Sequence, residues 1–204
     1  MKRRRARIRI RLPAILFASL FCLLLAPRPA LAIFTELGLS YNYKKLNFDD
    51  QNSLETQGAT GSIAFYVWER IALELAYTNS LLVKKESELA TPGSTSVRTT
   101  VQKADIYELT GQFLLNSNRQ GGLQPYIKAG VAYINKSQRI QIDNTDPPPP
   151  IAVAGWGPSA GVGLKYFFTE NLSIRLSYDV VRTPVDTGST ADDITGRAGI
   201  SWLF

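Results

Sequence analysis

The chain closes with ITGRAGISWLF (residues 194–204), in which apolar and polar residues alternate. Every second residue counted back from the terminus belongs to one apolar set: Phe204, Trp202, Ile200, Ala198, Gly196 and Ile194. The residues between them include Arg197. Because successive side chains of a β-strand point to opposite faces, the segment predicts a strand with one aromatic-rich apolar face and one polar face that carries a charge.

Seven upstream segments show the same alternation, and each is long enough to cross a membrane as a tilted strand. They are FTELGLSYNY (34–43), GSIAFYVW (61–68), IALELAYT (71–78), YELTGQFL (107–114), PYIKAGVAY (125–133), SAGVGLKYFF (159–168) and NLSIRLSYDV (171–180). Short turns alternate with longer polar connections, which are predicted near 45–54, 80–101, 137–154 and 182–192. Of these, 80–101 is expected to include hairpin extensions above the membrane. The pattern predicts an all-β fold of eight antiparallel strands.

Residues 1–32 differ in composition from the rest of the chain. They begin with a basic head, continue with an apolar run from Ala14 to Ala26, and end in Ala30-Leu31-Ala32. This order is typical of a signal peptide, here cleaved after Ala32, and the apolar run is shorter than the ~20 residues that a transmembrane helix needs. The segment contains eight of the 23 Lys and Arg residues and none of the 17 Asp and Glu residues. The remaining chain is therefore slightly acidic, and we expect no nucleic-acid partner.

The polar faces of the predicted strands carry four acids and four bases among small residues. They are Glu36, Glu74, Glu108, Lys128, Lys165, Arg175, Asp179 and Arg197. Charges inside a narrow barrel must pair, because a lone buried charge is very costly, and small residues leave room for them. The sequence therefore predicts an ion-pair network in the lumen, with Glu108–Lys128 and Asp179–Arg197 as candidate pairs on neighbouring strands.

The apolar faces carry aromatic residues at both ends, as expected where strands meet two membrane interfaces. Towards the long connections these are Tyr41, Tyr43, Tyr77, Tyr107, Tyr133 and Tyr178, and towards the short turns they are Phe113, Phe168, Trp202 and Phe204. The apolar face is therefore predicted to contact lipid.

The last strand resembles the C-terminal signature of outer-membrane β-barrel proteins, in which alternating apolar positions end in an aromatic residue. Ile200, Trp202 and Phe204 match this assembly signal, whereas Ala198 and Gly196 are smaller than usual. The chain as a whole is similar to the small OmpA/OmpX-type barrels. The resemblance implies a signal peptide (1–32) followed by an eight-stranded antiparallel transmembrane up-and-down β-barrel (33–204) in a Gram-negative-type outer membrane. It also implies two partners, the lipid bilayer and the barrel-assembly machinery.

Residue types limit the chemistry. The chain has no histidine, and its one cysteine, Cys22, lies in the predicted signal peptide, so the usual base for activating a hydroxyl or water is missing. We predict no catalytic residues, no metal and no cofactor. Two functions remain open. One is a structural or surface-interaction protein with a plugged polar interior and long external loops, whose extracellular ligand no motif identifies. The other is a narrow or gated pore for small solutes or ions.

Overall fold

The computed structural model describes residues 34–48, 52–91, 94–116, 122–142, 148–184 and 190–204. The predicted signal peptide (1–32) lies outside these residues. Eight strands are present: β1 (Thr35–Asn47), β2 (Ser53–Tyr66), β3 (Ile71–Thr91), β4 (Ser94–Leu114), β5 (Gly122–Ile142), β6 (Ile151–Phe167), β7 (Leu172–Pro184) and β8 (Thr190–Leu203). Each pairs antiparallel with the next, and β8 pairs with β1, so the sheet closes into a barrel. The predicted fold class is confirmed.

No helix in the described part of the chain is long and apolar enough to cross a membrane.

The apolar residues of the strands point outward, which is the reverse of a water-soluble barrel. On β3, Leu73 and Leu75 are 45% and 47% exposed, whereas Glu74 between them is 1% exposed. The other strands alternate in the same sense over the segments identified from the sequence. An apolar exterior of this kind is removed from water only when it is surrounded by hydrocarbon. The outward orientation of the apolar face therefore agrees with the sequence prediction.

Aromatic side chains form belts at the two limits of the apolar band. At the end that carries the long hairpins, here called the upper end, Tyr77, Tyr107, Tyr133 and Trp156 are register neighbours on β3 to β6. Trp156 was not predicted, because it lies between the predicted connection 137–154 and the predicted strand 159–168. Near the short turns of the lower end, the rings of Tyr166 and Phe168 lie 5.2 Å apart and those of Trp202 and Phe204 lie 6.3 Å apart.

The strands continue well beyond the upper belt. β3, β4 and β5 have 21 residues each, about twice the ~9–11 that cross a bilayer. The β3–β4 ladder runs from Ile71↔Phe113 to Thr91↔Ser94, so residues 80–101 are a paired hairpin for most of their length. Hairpin extensions were expected within 80–101, and this pairing confirms them. The connections predicted near 45–54 and 137–154 were too long, because β1, β2, β5 and β6 extend into them. These extensions lack strict apolar alternation because both faces of a hairpin above the membrane meet water, and pairing there does not require an apolar face.

An apolar layer lies at the lower end of the lumen. It contains the buried residues Ala64, Tyr66, Ala72, Leu114, Tyr126 and Leu203. The chain end is held here: Thr35 and Phe204 exchange two backbone hydrogen bonds, of 3.3 and 2.8 Å, and the Asn171 side chain donates to the carbonyl of Leu203 at 2.7 Å. These contacts join the first and last strands at the lower end and form a floor beneath the charged residues.

Candidate functional site in the barrel lumen

All eight charged residues identified from the polar faces lie inside the barrel, and none is more than 7% exposed. They come from seven of the eight strands: Glu36 (β1), Glu74 (β3), Glu108 (β4), Lys128 (β5), Lys165 (β6), Arg175 and Asp179 (β7), and Arg197 (β8). Strand alternation directs each of them inward, and the barrel closure places them within reach of one another. They form a continuous set of contacts along the lumen.

The lower part of this network is built around Lys165, which is fully buried. Its Nζ donates to Glu36 Oε2 at 2.7 Å, to Gln112 Oε1 at 2.9 Å and to the Tyr66 hydroxyl at 3.0 Å. The Tyr66 hydroxyl also donates to Glu36. All three donor positions of the ammonium group therefore have partners, which is the condition under which a buried lysine remains charged.

The middle of the network is a two-bond pair between Arg175 and Glu74. Arg175 Nη1 lies 2.6 Å from Glu74 Oε2, and Nη2 donates to Oε1 at 3.0 Å. Arg175 Nε donates to the Tyr126 hydroxyl at 2.7 Å. The Tyr126 ring contacts two cations, with its centroid 5.2 Å from Arg175 Cζ and 5.2 Å from Lys165 Nζ. Tyr126 thus brings an electron-rich ring to two like charges and screens their repulsion.

The upper part contains two acid–base contacts that share one carboxylate. Asp179 lies 2.9 Å from Lys128 Nζ and 3.2 Å from Arg197 Nη1. Lys128 also reaches Glu74 at 3.5 Å, which connects this part to the middle. Arg197 binds Glu108 at 3.2 Å, and the Ser159 hydroxyl donates to the same Glu108 carboxylate at 2.8 Å.

The pairs differ in part from those suggested by neighbouring strands. Asp179 and Arg197 do meet, but Glu108 contacts Arg197 and not Lys128. The reason is the register of β4 and β5, in which Glu108 is opposite Ala132 and Lys128 is opposite Gln112. Lys128 instead reaches Asp179 two strands away, because both residues are in register with Gly161 of β6, which has no side chain to separate them.

The neutral polar partners of the network were not identified from the sequence. The only available signal was the position of these partners on polar faces, which holds for Tyr66, Gln112, Tyr126 and Ser159. Residue type alone does not distinguish a side chain that hydrogen-bonds to a charged group from one that only fills space in the lumen. Glycine provides room for them. A Cβ at Gly161 would lie 2.3 Å from Asp179 Oδ1 and 3.0 Å from Lys128 Cε, so this position accepts no larger residue while the pair is in place.

The arrangement suits structural and electrostatic roles. Four acids and four bases balance, and the pairs lie where water screens them little, so separating them is costly. Above the network, a cavity of about 390 Å³ extends from Arg197 towards the upper end. Among the described residues, no group of three or more His, Cys, Asp or Glu is placed to hold a metal ion.

The predicted assembly signal lies on the outer surface of β8. Ile200 and Trp202 are paired with Leu39 and Leu37 of β1, and both point outward together with Phe204. The apolar face of the last strand is thus part of the lipid-facing surface where the barrel closes.

A closed eight-stranded antiparallel barrel with an aromatic-bounded apolar exterior and an ionic lumen defines the class of small outer-membrane barrels. The chain belongs to the family of the outer membrane protein beta-barrel domain, whose family model matches residues 15–202. Its fold is similar to the N-terminal β-barrel domain of Pseudomonas aeruginosa OprF, with a TM-score of 0.54 and 19% identity over 84% of this chain and 97% of that chain.

It is also similar to the outer membrane protein OprG from Pseudomonas aeruginosa, with a TM-score of 0.52 and 11% identity over 84% of this chain and 95% of that one. At these identities the likeness concerns the fold alone. The comparison with curated proteins found no match.

Proposed function

We propose that this chain is an outer-membrane protein with a sealed lumen, which acts at the cell surface through its upper hairpins and does not conduct solutes. The observation that supports a sealed lumen is the ion-pair network. It connects charged residues from seven strands, includes Tyr66 of the remaining strand, and lies above an apolar floor.

Opening a solute path requires these pairs to separate inside the barrel. Each separated charge then loses a partner at short distance in a region of low dielectric constant, where attraction between opposite charges is much stronger than in water. Water entering with the solute offsets part of this cost. Because the pairs share partners through Glu74 and Asp179, moving one side chain weakens two contacts. A closed state is therefore strongly favoured.

Single-channel recording in planar bilayers tests the sealed lumen. We expect purified wild-type protein to give no reproducible steady conductance, whereas the double variant Glu108→Ala/Arg197→Ala, which removes the upper pair, should admit more ion flow. The double variant Tyr107→Ala/Tyr133→Ala is a matched control, since it removes two side chains from the outer face of the same region. Reproducible large channels from the wild type would instead support the alternative function, a narrow or gated pore.

The surface role is supported by the charge of the extended wall. Above the upper belt, the outward positions of β1 to β5 include the bases Lys45, Lys85, Lys103 and Arg139 and the acids Glu55 and Asp105. This excess of basic over acidic residues next to the membrane attracts the phosphate groups of outer-leaflet lipids. Each base close to an anionic surface contributes about 1 kcal/mol of binding free energy. We infer that the hairpins hold the barrel against its own leaflet and present their tips outward.

This role can be tested with a charge reversal. The variant Lys103→Glu/Arg139→Glu should lower the midpoint of thermal unfolding in vesicles that contain lipopolysaccharide and leave it unchanged in zwitterionic vesicles. An equal decrease of the unfolding midpoint in both vesicle types would indicate a change within the barrel and would contradict the contact with lipid.

Assembly and localisation complete the proposal. The exposed apolar face of β8, ending at Phe204, supports recognition of this strand by the barrel-assembly machinery after export through a cleaved signal peptide. Deleting Phe204 should reduce the amount of heat-modifiable protein in outer-membrane fractions. We further infer that the chain is not an enzyme, since it has no histidine and each lumenal acid contacts a base.

A further inference from the structure

The seam between the first and last strands closes over only part of its height. Pairing of β1 with β8 begins at Glu36↔Leu203 and ends at Tyr41↔Ala198. Both strands continue above this point, to Asn47 on β1 and to Thr190 on β8. Among the described residues, no ladder joins 42–47 to 190–197, although each of these stretches stays paired on its other side, with β2 and β7. The wall therefore has two free strand edges that face each other, here called the side opening.

The cavity above the network reaches through this side opening. Its lining includes residues whose side chains face the lumen, such as Asn42, Thr78 and Arg197, and residues of the outer face, namely Tyr43, Ile194 and Gly196. A space bordered by both faces of the same wall passes between the strands. The cavity volume of about 390 Å³ falls in the ordinary range for small-molecule sites.

The opening lies at the level of the upper aromatic belt. Tyr41 marks its lower limit on β1, and the outward Tyr43 and Ile194 flank it and are both more than half exposed. Free strand edges are tolerated at membrane depth only where they line a cavity or are covered, because hydrocarbon cannot satisfy backbone hydrogen bonds. The mouth of the cavity thus faces the region where lipid head groups meet acyl chains.

Two buried polar atoms in the cavity wall have no hydrogen-bond partner among the described residues. They are Asn42 Oδ1 and Arg197 Nε, and both residues are 7% exposed. Lys44, which follows on the lumenal side of β1 and lines the same cavity, forms no ion pair with the described residues, whereas Asp193 is held by Lys136 at 3.5 Å. The cavity therefore offers a donor and an unpaired positive charge at its polar end.

We propose that the side opening is a binding site for an anionic single-chain amphipath from the outer leaflet. Its carboxylate or phosphate head enters the lumen between Lys44 and Arg197, and its chain leaves between Tyr43 and Ile194 to remain in the apolar band. The head accepts hydrogen bonds from both bases, and a hydroxyl beside the head, where one is present, donates to Asn42. The site shares Arg197 with the upper part of the ion-pair network, where Nη1 contacts Glu108 and Asp179, but it does not depend on whether the lumen conducts.

Gly196 provides a way to block the mouth without disturbing the barrel. It faces outward, and a Cβ built there meets no atom within 4 Å. Gly61 has the same two properties on β2 and does not line the cavity. Gly196→Phe therefore fills the side opening, while Gly61→Phe is a matched control that adds the same side chain to the outer face elsewhere. Heat-modifiable migration verifies that each variant folds.

The test is methyl NMR of the chain in lipid nanodiscs, titrated at pH 8.5 with dodecanoate, dodecanol or dodecyltrimethylammonium. We expect dodecanoate to cause saturable shifts of the methyl groups of Ile194 and Leu82, which both line the cavity. Binding should be at least about tenfold weaker for Gly196→Phe and unchanged for Gly61→Phe. The proposed site would be refuted if Gly196→Phe bound dodecanoate as tightly as Gly61→Phe, or if the methyl shifts never saturated.

Lys44→Gln tests the charge of the head group and does not rely on blocking the mouth. It should weaken dodecanoate binding by about tenfold, since hydrogen bonds to charged groups are worth roughly twice those between neutral groups, and leave dodecanol binding unchanged. If dodecyltrimethylammonium binds as tightly as dodecanoate, or if Lys44→Gln has no effect, the assignment to an anionic ligand is refuted. Ion conduction by this protein in planar bilayers would contradict the sealed lumen alone. It would not affect the ligand-binding result at the side opening.

Discussion

Replacing Lys165 by Met should destabilise the barrel strongly. Among single substitutions that replace a lumenal residue by a neutral residue of similar size, we expect it to have the largest effect. Lys165 is fully buried, and it is the cation that contacts Glu36. Met fills nearly the same volume, so little packing is lost. The variant keeps the Glu36 carboxylate in the lumen with only the Tyr66 hydroxyl as a hydrogen-bond donor. One negative charge then has no contacting base.

The size of the effect follows from the cost of a buried charge that loses its partner, about 3–5 kcal/mol. The double variant Glu36→Gln/Lys165→Met removes both charges and keeps an acceptor for Tyr66. It should therefore recover most of the loss and lie within about 1–2 kcal/mol of the wild type, because replacing a whole buried pair is often close to neutral. The interaction energy in the resulting double-mutant cycle should exceed about 2 kcal/mol.

Urea unfolding of the refolded chain in lipid vesicles, followed by tryptophan fluorescence and by migration on unheated gels, measures these free energies. The prediction concerns the order of the three free energies of unfolding. Those of the wild type and the double variant should be close, and that of Lys165→Met should be far below both. If Lys165→Met unfolds within about 1 kcal/mol of the wild type, or if the double variant is the least stable, the reasoning from charge pairing in the lumen is refuted.

Further changes probe other parts of the barrel. Arg197→Glu places an acid between the two carboxylates that Arg197 now bridges, so it should lower the unfolding temperature or open the lumen, and unchanged heat stability without conductance would contradict the network. Gly130→Ala should cost about 1–3 kcal/mol of stability, because a Cβ there would lie 2.0 Å from a backbone oxygen of β4. Gly111→Ala on the outer face is the control, since its Cβ would meet only an ordinary contact at 3.9 Å. Equal urea midpoints for the two variants would refute the prediction. Just above the upper belt, Asp105 accepts a hydrogen bond at 2.7 Å from the hydroxyl of the belt residue Tyr77, and this bond lowers the pKa of the carboxyl. The stabilisation is present above the ordinary pKa of aspartate, is lost as the pH falls through the lowered value, and is small because the pair is exposed. Tyr77→Phe should raise the pKa of Asp105 in a carboxyl NMR titration, and an unchanged midpoint would exclude the hydroxyl as the cause.

The number of strands, their antiparallel order and the direction of their faces could be predicted from the sequence, because all three depend on alternation, which is a local property of an extended chain. Glu74 between Leu73 and Leu75 is an example: its neighbours alone determine that it points away from them. The same alternation placed all eight charged residues in the lumen. Above the upper belt no hydrocarbon requires an apolar face, and the alternation weakens. Hairpin extensions were therefore expected only within 80–101, and the other strand extensions were taken for connections.

Apart from the neighbouring-strand pair of Asp179 and Arg197, the charges that meet could not be predicted in the same way, because tilt and stagger bring residues from distant parts of the chain to the same depth. Lys165 and Glu36 are 129 positions apart in the sequence, and no local pattern relates them. The place of Tyr126 against two cations and the end of the β1–β8 ladder at Tyr41↔Ala198 likewise depend on how the closed sheet is sheared. The sequence by itself determined which side of each strand meets lipid, and only the tertiary structure decided which acid meets which base and where the wall is left open, since these depend on distances across the barrel and not along the chain.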